Sequence, residues 1–193
     1  DSERKLARVL DAGADAVILD LEDAVVAEHK VLAREMTAAF LRLHAGTSGP
    51  PLWVRVNPLS SGLMHDDLAA VMAAVPAGIV LPKPDSIADV RDLDRALYEL
   101  EARTPGRAVT PIVAIATETA LAVATLSGYV RPPNRLLALT WGAEDLSTEL
   151  GARVNREADG EFRFTYQLVR SLCQIAAAAS GRPTPPMVMH ATS

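Results

Sequence analysis

The residues of this chain that could do chemistry arrive in short bursts, each directly after an apolar run. Ala16-Val-Ile-Leu19 runs into Asp20, Glu22 and Asp23, and Leu52-Trp-Val54 runs into Arg55 and Asn57. Ile79-Val-Leu-Pro82 leads to Lys83, and the apolar stretch from Pro111 to Thr117 leads to Glu118. The stretch from Leu136 through Thr140, Trp141, Gly142 and Ala143 leads to Glu144 and Asp145. Carboxylates with an arginine and a lysine, and no thiolate or histidine cluster, suit a hard cation held by oxygen. Mg²⁺ takes one or two carboxylates and completes its octahedron with waters and substrate oxygens. Glu118 and Asp145 could be those two ligands; the competing reading is a pair of helix N-terminal carboxylates stabilised by the helix dipole.

The other polar residues sort by the same reasoning. Arg55 can grip a substrate carboxylate through its two-pronged guanidinium, or serve as a structural partner of Glu22 or Asp23. Gly142 and Ala143, where a helix could begin, offer backbone N–H groups to a second carboxylate. Asp20 precedes this rim and reads as structural. Lys83 would need an apolar pocket to act as a Schiff-base nucleophile. Neighbouring carboxylates push its pKa the other way, so an electrostatic or structural role is expected. His29, His44, His65 and His190 show no ligand-like spacing and read as surface or helix residues. Cys173, the single cysteine, lies in an apolar helical pattern and reads as a buried residue in a reducing compartment.

These residues need elements to hold them. The apolar runs predict strands at Ala16–Leu21, Leu52–Asn57, Gly78–Lys83, Val109–Ala116 and Arg135–Trp141, with a weaker one at Met187–His190. Most do not alternate, as expected for parallel strands covered on both faces. Helical spacing predicts helices over Ser2–Ala12, His29–His44, Asp66–Val75, Ser86–Arg103 and Phe164–Ser180. Ser86 and Asp89 are spaced like a capping box, and Asn155–Glu161, with Asp159-Gly160, reads as a solvated hairpin or loop. Strand–helix alternation with short links implies a parallel sheet with right-handed crossovers, either open or closed. No G-x-G-x-x-G or G-K-[ST] follows any strand, which removes the usual nucleotide signatures. In a closed (β/α) barrel the strand C-termini converge on the mouth where such proteins keep their functional groups.

Composition narrows the classes further. A net charge of −5 with dispersed Lys and Arg gives no footprint for nucleic acid. Every apolar stretch is interrupted well short of a membrane span, and a cytoplasmic protein is expected.

The segments Asp20-Leu-Glu-Asp-Ala-Val25, Val54-Arg-Val-Asn57, Leu81-Pro-Lys83, Thr117-Glu-Thr119 and Trp141-Gly-Ala-Glu-Asp145 resemble, in order, the HpcH/HpaI aldolase/citrate lyase superfamily. The branch they are most similar to is that of the citrate lyase β-subunit. The resemblance implies an α/β fold of the TIM (β/α)8 barrel type. Residues 1–193 would form one such domain, without the family's first strand and its C-terminal strand and lid. An aspartate of that lid, often donated by a neighbouring subunit, acts in related lyases, and the resemblance assigns it to no residue here.

The resemblance also implies Mg²⁺ on Glu118 and Asp145, the acid's carboxylate on Arg55, and Glu22 and Asp23 as acidic groups near the metal. Arg4 and Lys5, near the first helix, would be contacts to coenzyme A. The implied activity is carbon–carbon cleavage of a 3-hydroxyacyl-CoA such as citryl-CoA, malyl-CoA or citramalyl-CoA, giving a 2-oxo acid and an acyl-CoA. The implied assembly is a homo-oligomer, a trimer or hexamer, with an acyl-carrier partner possible. Two alternatives stand beside it: a class II aldolase acting on free 2-oxo acids, and a non-catalytic subunit that binds CoA or an acyl carrier.

Overall fold

Runs of β-branched and aliphatic residues that do not alternate suit strands covered on both faces, and all five expected segments form strands. Those at Gly78–Leu81 and Ile112–Ile115 are buried throughout, whereas Val17–Asp20 alternates buried with half-buried positions and Leu136–Thr140 leaves Leu137 exposed. A computed structural model describes residue 10, residues 13–103 and residues 108–181. The chain divides into two compact units: Asp1–Val80 with Glu99–Thr110, and Leu81–Tyr98 with Pro111–Ser193. No helix of the described residues is long and apolar enough to cross a membrane.

In the first unit, β1 (Val17–Asp20), β2 (Leu52–Arg55) and β3 (Gly78–Leu81) are joined as parallel neighbours. Val54 and Ile79 are completely buried. Trp53 lies opposite Gly78, and a Cβ on Gly78 would fall 2.1 Å from the indole ring. Only glycine leaves that ring its place, so the Trp–Gly pair fixes this part of the register. Helix α1 (Lys30–Leu43) follows a 3-10 turn at Ala27–His29, and α2 (Met64–Val71) ends in another at Met72–Ala74. On α2 the buried positions are Met64, Asp67, Leu68 and Val71, the three-and-four spacing of one helix face.

In the second unit, β4 (Ile112–Ile115) and β5 (Leu136–Thr140) are parallel, with a register shift between Ile112 and Val113. Helix α3 (Ile87–Glu101) has the capping box its sequence announced. Ser86 Oγ accepts from the Ala88 amide at 3.1 Å, and Asp89 Oδ2 accepts from the Ser86 amide at 3.3 Å. Short α4 (Ala120–Ala124) is capped by Thr119, whose Oγ1 accepts from the Ala122 amide at 3.0 Å. Helix α5 (Glu144–Glu149) follows β5, and α6 (Phe164–Ala179) closes the described chain.

Every described strand is shorter than its apolar run, for reasons visible in the hydrogen bonds. The second run stops being strand at Arg55 because the Asn57 amide donates to Asp67 Oδ2 at 2.7 Å instead of to a neighbouring strand. The third stops at Leu81, where Pro82 has no N–H and Lys83 turns into the left-handed region with φ 49°. The fourth starts at Ile112 rather than Val109, and the Thr110 amide is held by Glu101 Oε1 at 2.8 Å. Around Asp159-Gly160 the expected hairpin exists as one antiparallel bridge, Arg156 to Phe162, with the Arg156 guanidinium 3.7 Å above the Phe162 ring centre. The helix expected at Ser2–Ala12 and the strand expected at Met187–His190 lie outside the described residues.

Candidate functional site

Parallel pairing in register carries the residue after each apolar run to the same end of its neighbours. In the first unit Asp20 and Arg55 are direct partners in the β1–β2 ladder, so their side chains leave the sheet side by side. Arg55 Nε donates to Asp20 Oδ1 at 2.8 Å and Nη2 to Asp20 Oδ2 at 2.6 Å, while Nη1 stands 3.0 Å from Glu22 Oε2. Asp20 also accepts from the amides of Glu22 and Ala24, at 2.9 and 3.2 Å. Burial alone would raise the Asp20 pKa. The hydrogen bonds and charge of Arg55, with the two amides, outweigh it and hold the carboxyl below its ordinary 3.8. Burial likewise disfavours the charged guanidinium, but Asp20 first, then Glu22 and Asp23, raise its pKa well above the usual arginine value.

Beneath this cluster lies a polar network that holds the β1 and β2 ends together. Lys30 Nζ donates to the carbonyls of Leu21 and Glu22 and to Asn57 Oδ1, each at 2.7 Å. Asn57 Nδ2 donates to Leu21 O at 3.0 Å and to Asp67 Oδ2 at 2.7 Å. Fully buried Asp67 also takes Arg34 Nε at 2.7 Å. Buried polar groups persist only when satisfied in this way, and here their partners lock the loop that carries Glu22.

The second unit builds a different cluster by the same logic. Ile115 pairs with Thr140, and the Ala116 amide continues the ladder to Thr140 O at 2.9 Å. The next residues on the two chains therefore emerge side by side. The Gly142 amide donates to Thr117 Oγ1 at 3.0 Å, and Glu118 lies over Gly142, where a Cβ would meet Glu118 Cγ at 2.6 Å and Oε1 at 3.1 Å. Glu118 is 4% exposed. Its Oε2 accepts from the Lys83 amide at 2.7 Å, and Lys83 Nζ lies 3.3 Å from Asp145 Oδ1. One lysine thus touches both carboxylates expected to hold a metal. Asp145 is placed by packing behind it: Ala143, Leu146, Tyr166 and Val169 form a buried cluster, with Trp141 and Phe162 edge to face at 5.0 Å between ring centres.

Set against the expectations, the structure brings Glu118 and Asp145 onto Lys83, and Arg55 onto Glu22 and Asp20. Asp23 is exposed and contributes its charge to Arg55. The electrostatic role expected of Lys83 fits its ion pair with Asp145. Gly142 is corrected: its amide is committed to Thr117, so it does not offer that N–H to a substrate carboxylate, and its missing side chain makes room for Glu118 instead. Ala143 is buried ahead of α5. His29 and His65 are exposed, and His44 caps its own helix through Phe40 O at 2.9 Å. Burial pushes the Cys173 thiol up to about 12. Arg4, Lys5 and His190 lie outside the described residues.

Sequence reasoning missed Lys30, Asp67 and Thr117. Asp67 had a signal, because it falls on the buried stripe of α2. Lys30 had one too, since a cation at a helix N-terminus opposes the dipole and needs another reason to be there. Thr117 had none.

Two hard oxygen donors fit Mg²⁺, which needs only one or two carboxylates from a protein. Among the described residues no group of three or more His, Cys, Asp or Glu side chains forms a metal site. Parallel strands that hand ionisable side chains to loops beyond their C-termini define the class of α/β proteins that keep their working groups there. Residues 2–182 match the HpcH/HpaI aldolase/citrate lyase family, and the chain belongs to it. It is 33% identical over 172 residues to a citrate lyase subunit beta-like protein of Mycobacterium tuberculosis, covering 89% of this chain and 55% of that protein. It is 32% identical over 179 residues to a (3S)-malyl-CoA thioesterase of Cereibacter sphaeroides, covering 93% and 56%. The crystal structure of the M. tuberculosis protein CitE in complex with magnesium, acetoacetate and coenzyme A superposes with a TM-score of 0.70 at 32% identity. That likeness covers 93% of this chain and 59% of the other. The chain thus spans little more than half the length of the curated relatives it matches.

Proposed function

We propose that the protein is a Mg²⁺-dependent carbon–carbon lyase acting on a 3-hydroxyacyl-CoA, citryl-CoA, malyl-CoA or citramalyl-CoA being the candidates. The products are a 2-oxo acid and an acyl-CoA. The observation that carries the reading is the meeting of Glu118 and Asp145 on Lys83, in a chain whose relatives are named for citrate lyase and malyl-CoA chemistry. Glu118 and Asp145 would hold the ion. When bound, Mg²⁺ supplies a Lewis acid that stabilises negative charge on the substrate's oxygen and orients its carboxylate.

The remaining roles fall to this chain's own groups. Arg55 is the group that takes the acid's carboxylate, while Asp20 grips the Nε–Nη2 edge of its guanidinium and fixes the plane of that group. Glu22, ion-paired to Arg55, and Asp23 keep the arginine charged and aimed. The Ala143 amide is the one backbone donor kept for a second carboxylate, and Arg4 and Lys5 are kept as contacts to CoA phosphates. In the reaction the 3-hydroxyl loses its proton and the adjacent C–C bond breaks. Its electron pair passes to the thioester's α-carbon, which is then protonated.

The test is turnover of malyl-CoA and citramalyl-CoA by the purified chain, with Mn²⁺ binding measured alongside. Cleavage that EDTA abolishes and Mg²⁺ restores is expected. Glu118→Gln and Asp145→Asn should each lower kcat/KM by about a hundredfold or more and weaken Mn²⁺ binding. Activity indifferent to EDTA, or Mn²⁺ affinity unchanged in both variants, would overturn the metal assignment. Turnover of free 2-oxo acids without CoA would instead select the aldolase reading.

A further inference from the structure

We propose that Lys83 is a positioning residue that sets the charge balance of the Glu118–Asp145 pair, loosening its hold on the divalent ion and tightening its hold on the anionic substrate. The proposal rests on the reading of Glu118 and Asp145 as metal ligands and adds to it a residue with two separable jobs. One belongs to the backbone. Lys83 sits at φ 49°, a left-handed conformation that a residue with a long side chain adopts only where its surroundings enforce it. That conformation follows Pro82 at the end of β3 and aims the Lys83 amide at Glu118 Oε2, 2.7 Å away. Since Glu118 is 4% exposed, this charged hydrogen bond fixes which way its carboxylate lies.

The other job belongs to the ammonium group. It lies 3.3 Å from Asp145 Oδ1, with the lysine side chain only 22% exposed, so solvent screens it incompletely. Two carboxylates and a divalent ion sum to zero charge, and a bound oxo acid then adds at least one negative charge. The ammonium of Lys83 supplies a compensating positive charge beside Asp145 Oδ1. A unit positive charge within a few ångströms repels the divalent ion and attracts the acid, and at this range both effects are large. The two effects have opposite signs, whereas simple structural damage would weaken both ligands together.

The experiment measures Mn²⁺ binding by electron paramagnetic resonance, then pyruvate and oxaloacetate binding by calorimetry at saturating Mn²⁺. The proteins are wild type, Lys83→Asn, Lys83→Gly, Lys83→Arg and Glu118→Gln. Asparagine and glycine both tolerate the left-handed backbone, so the amide to Glu118 survives while the charge is removed. Lys83→Asn and Lys83→Gly should bind Mn²⁺ about tenfold tighter and the oxo acids about tenfold more weakly. Lys83→Arg should restore both toward wild type. Mn²⁺ affinity that is unchanged or weaker in both neutral variants, or oxo-acid affinity that does not fall, overturns the role of Lys83 alone, provided Glu118→Gln still weakens Mn²⁺. Wild-type protein whose Mn²⁺ affinity Glu118→Gln leaves untouched overturns the metal reading itself, and this proposal with it.

Discussion

Gly142→Ala asks whether the second cluster depends on a missing side chain. Gly142 is not in the left-handed region, so alanine brings no backbone strain and its effect is purely steric. The new Cβ would stand 2.6 Å from Glu118 Cγ, 3.3 Å from Cδ and 3.1 Å from Oε1. The closest atom is the root of the Glu118 side chain, so no rotation of the carboxylate alone relieves the contact. Cγ must retreat by roughly 0.8 Å to reach ordinary van der Waals contact, and overpacking of this kind costs about 1–3 kcal/mol. The same retreat stretches the 2.7 Å bond from the Lys83 amide, and a hydrogen bond to a charged group contributes about 1.5–3 kcal/mol. A misplacement near 1 Å at a reacting group lowers turnover by about a hundredfold. Gly142→Ala is therefore expected to lose about 2 kcal/mol of stability in urea denaturation. It should also bind Mn²⁺ at least about tenfold more weakly, with the fold retained by circular dichroism. A variant with wild-type Mn²⁺ affinity would show that Glu118 is not held where metal binding needs it, and the reasoning from the glycine would fail.

Two further predictions concern the first unit. Asp20 has a folded-state pKa below its unfolded value, so its contribution is fully present above about pH 4 and lost as pH falls through the folded pKa. Asp20→Asn should cost about 2 kcal/mol at pH 7, and urea midpoints taken from pH 7 to pH 2.5 should show the gap to wild type closing at the acid end; a gap independent of pH would refute the linkage. Asp67→Ala would strand Arg34 Nε together with the Asn57 amide and Nδ2, all now at 2.7 Å from a fully buried carboxylate. A loss of about 3–5 kcal/mol is expected, read as a large fall in the urea midpoint, and a loss under about 1 kcal/mol would contradict a structural role for the Asp67 network.

The strands were legible because burial on both faces leaves an unmistakable trace, a run of apolar residues too short for a helix and too continuous for an exposed strand. Their ends were not, because those are decided by particular hydrogen bonds. Asn57 leaves the ladder for Asp67, and Thr110 is taken by Glu101; neither partner is near in sequence or marked by composition. Helix α3 was legible to within one residue at its start because Ser86 and Asp89 lie three positions apart and their bonds are local. Helices α4 and α5, with five and six residues, are too short for hydrophobic periodicity to register.

The candidate site follows the same division between local and register-dependent information. That Glu118 and Asp145 would both lie beyond strand ends could be read from the chain, since each follows an apolar run. That Lys83 would reach both could not, because it depends on a left-handed turn after Pro82 and on the stagger of three segments. Gly142 shows the difference most sharply. Read alone, a glycine at the head of a helix suggests an open amide for an anion. Placed beside Thr117 by the Ile115–Thr140 register, its amide is spent on a hydroxyl and its empty side is filled by Glu118. Arg55 is the reverse case. Its pairing with acidic residues was foreseen, yet Asp20 rather than Glu22 takes the two-pronged contact, since ladder partners meet first and Glu22 must reach the guanidinium from two residues further on. Residue type announced the chemistry, and the pairing of neighbouring strands decided which atoms are left to perform it.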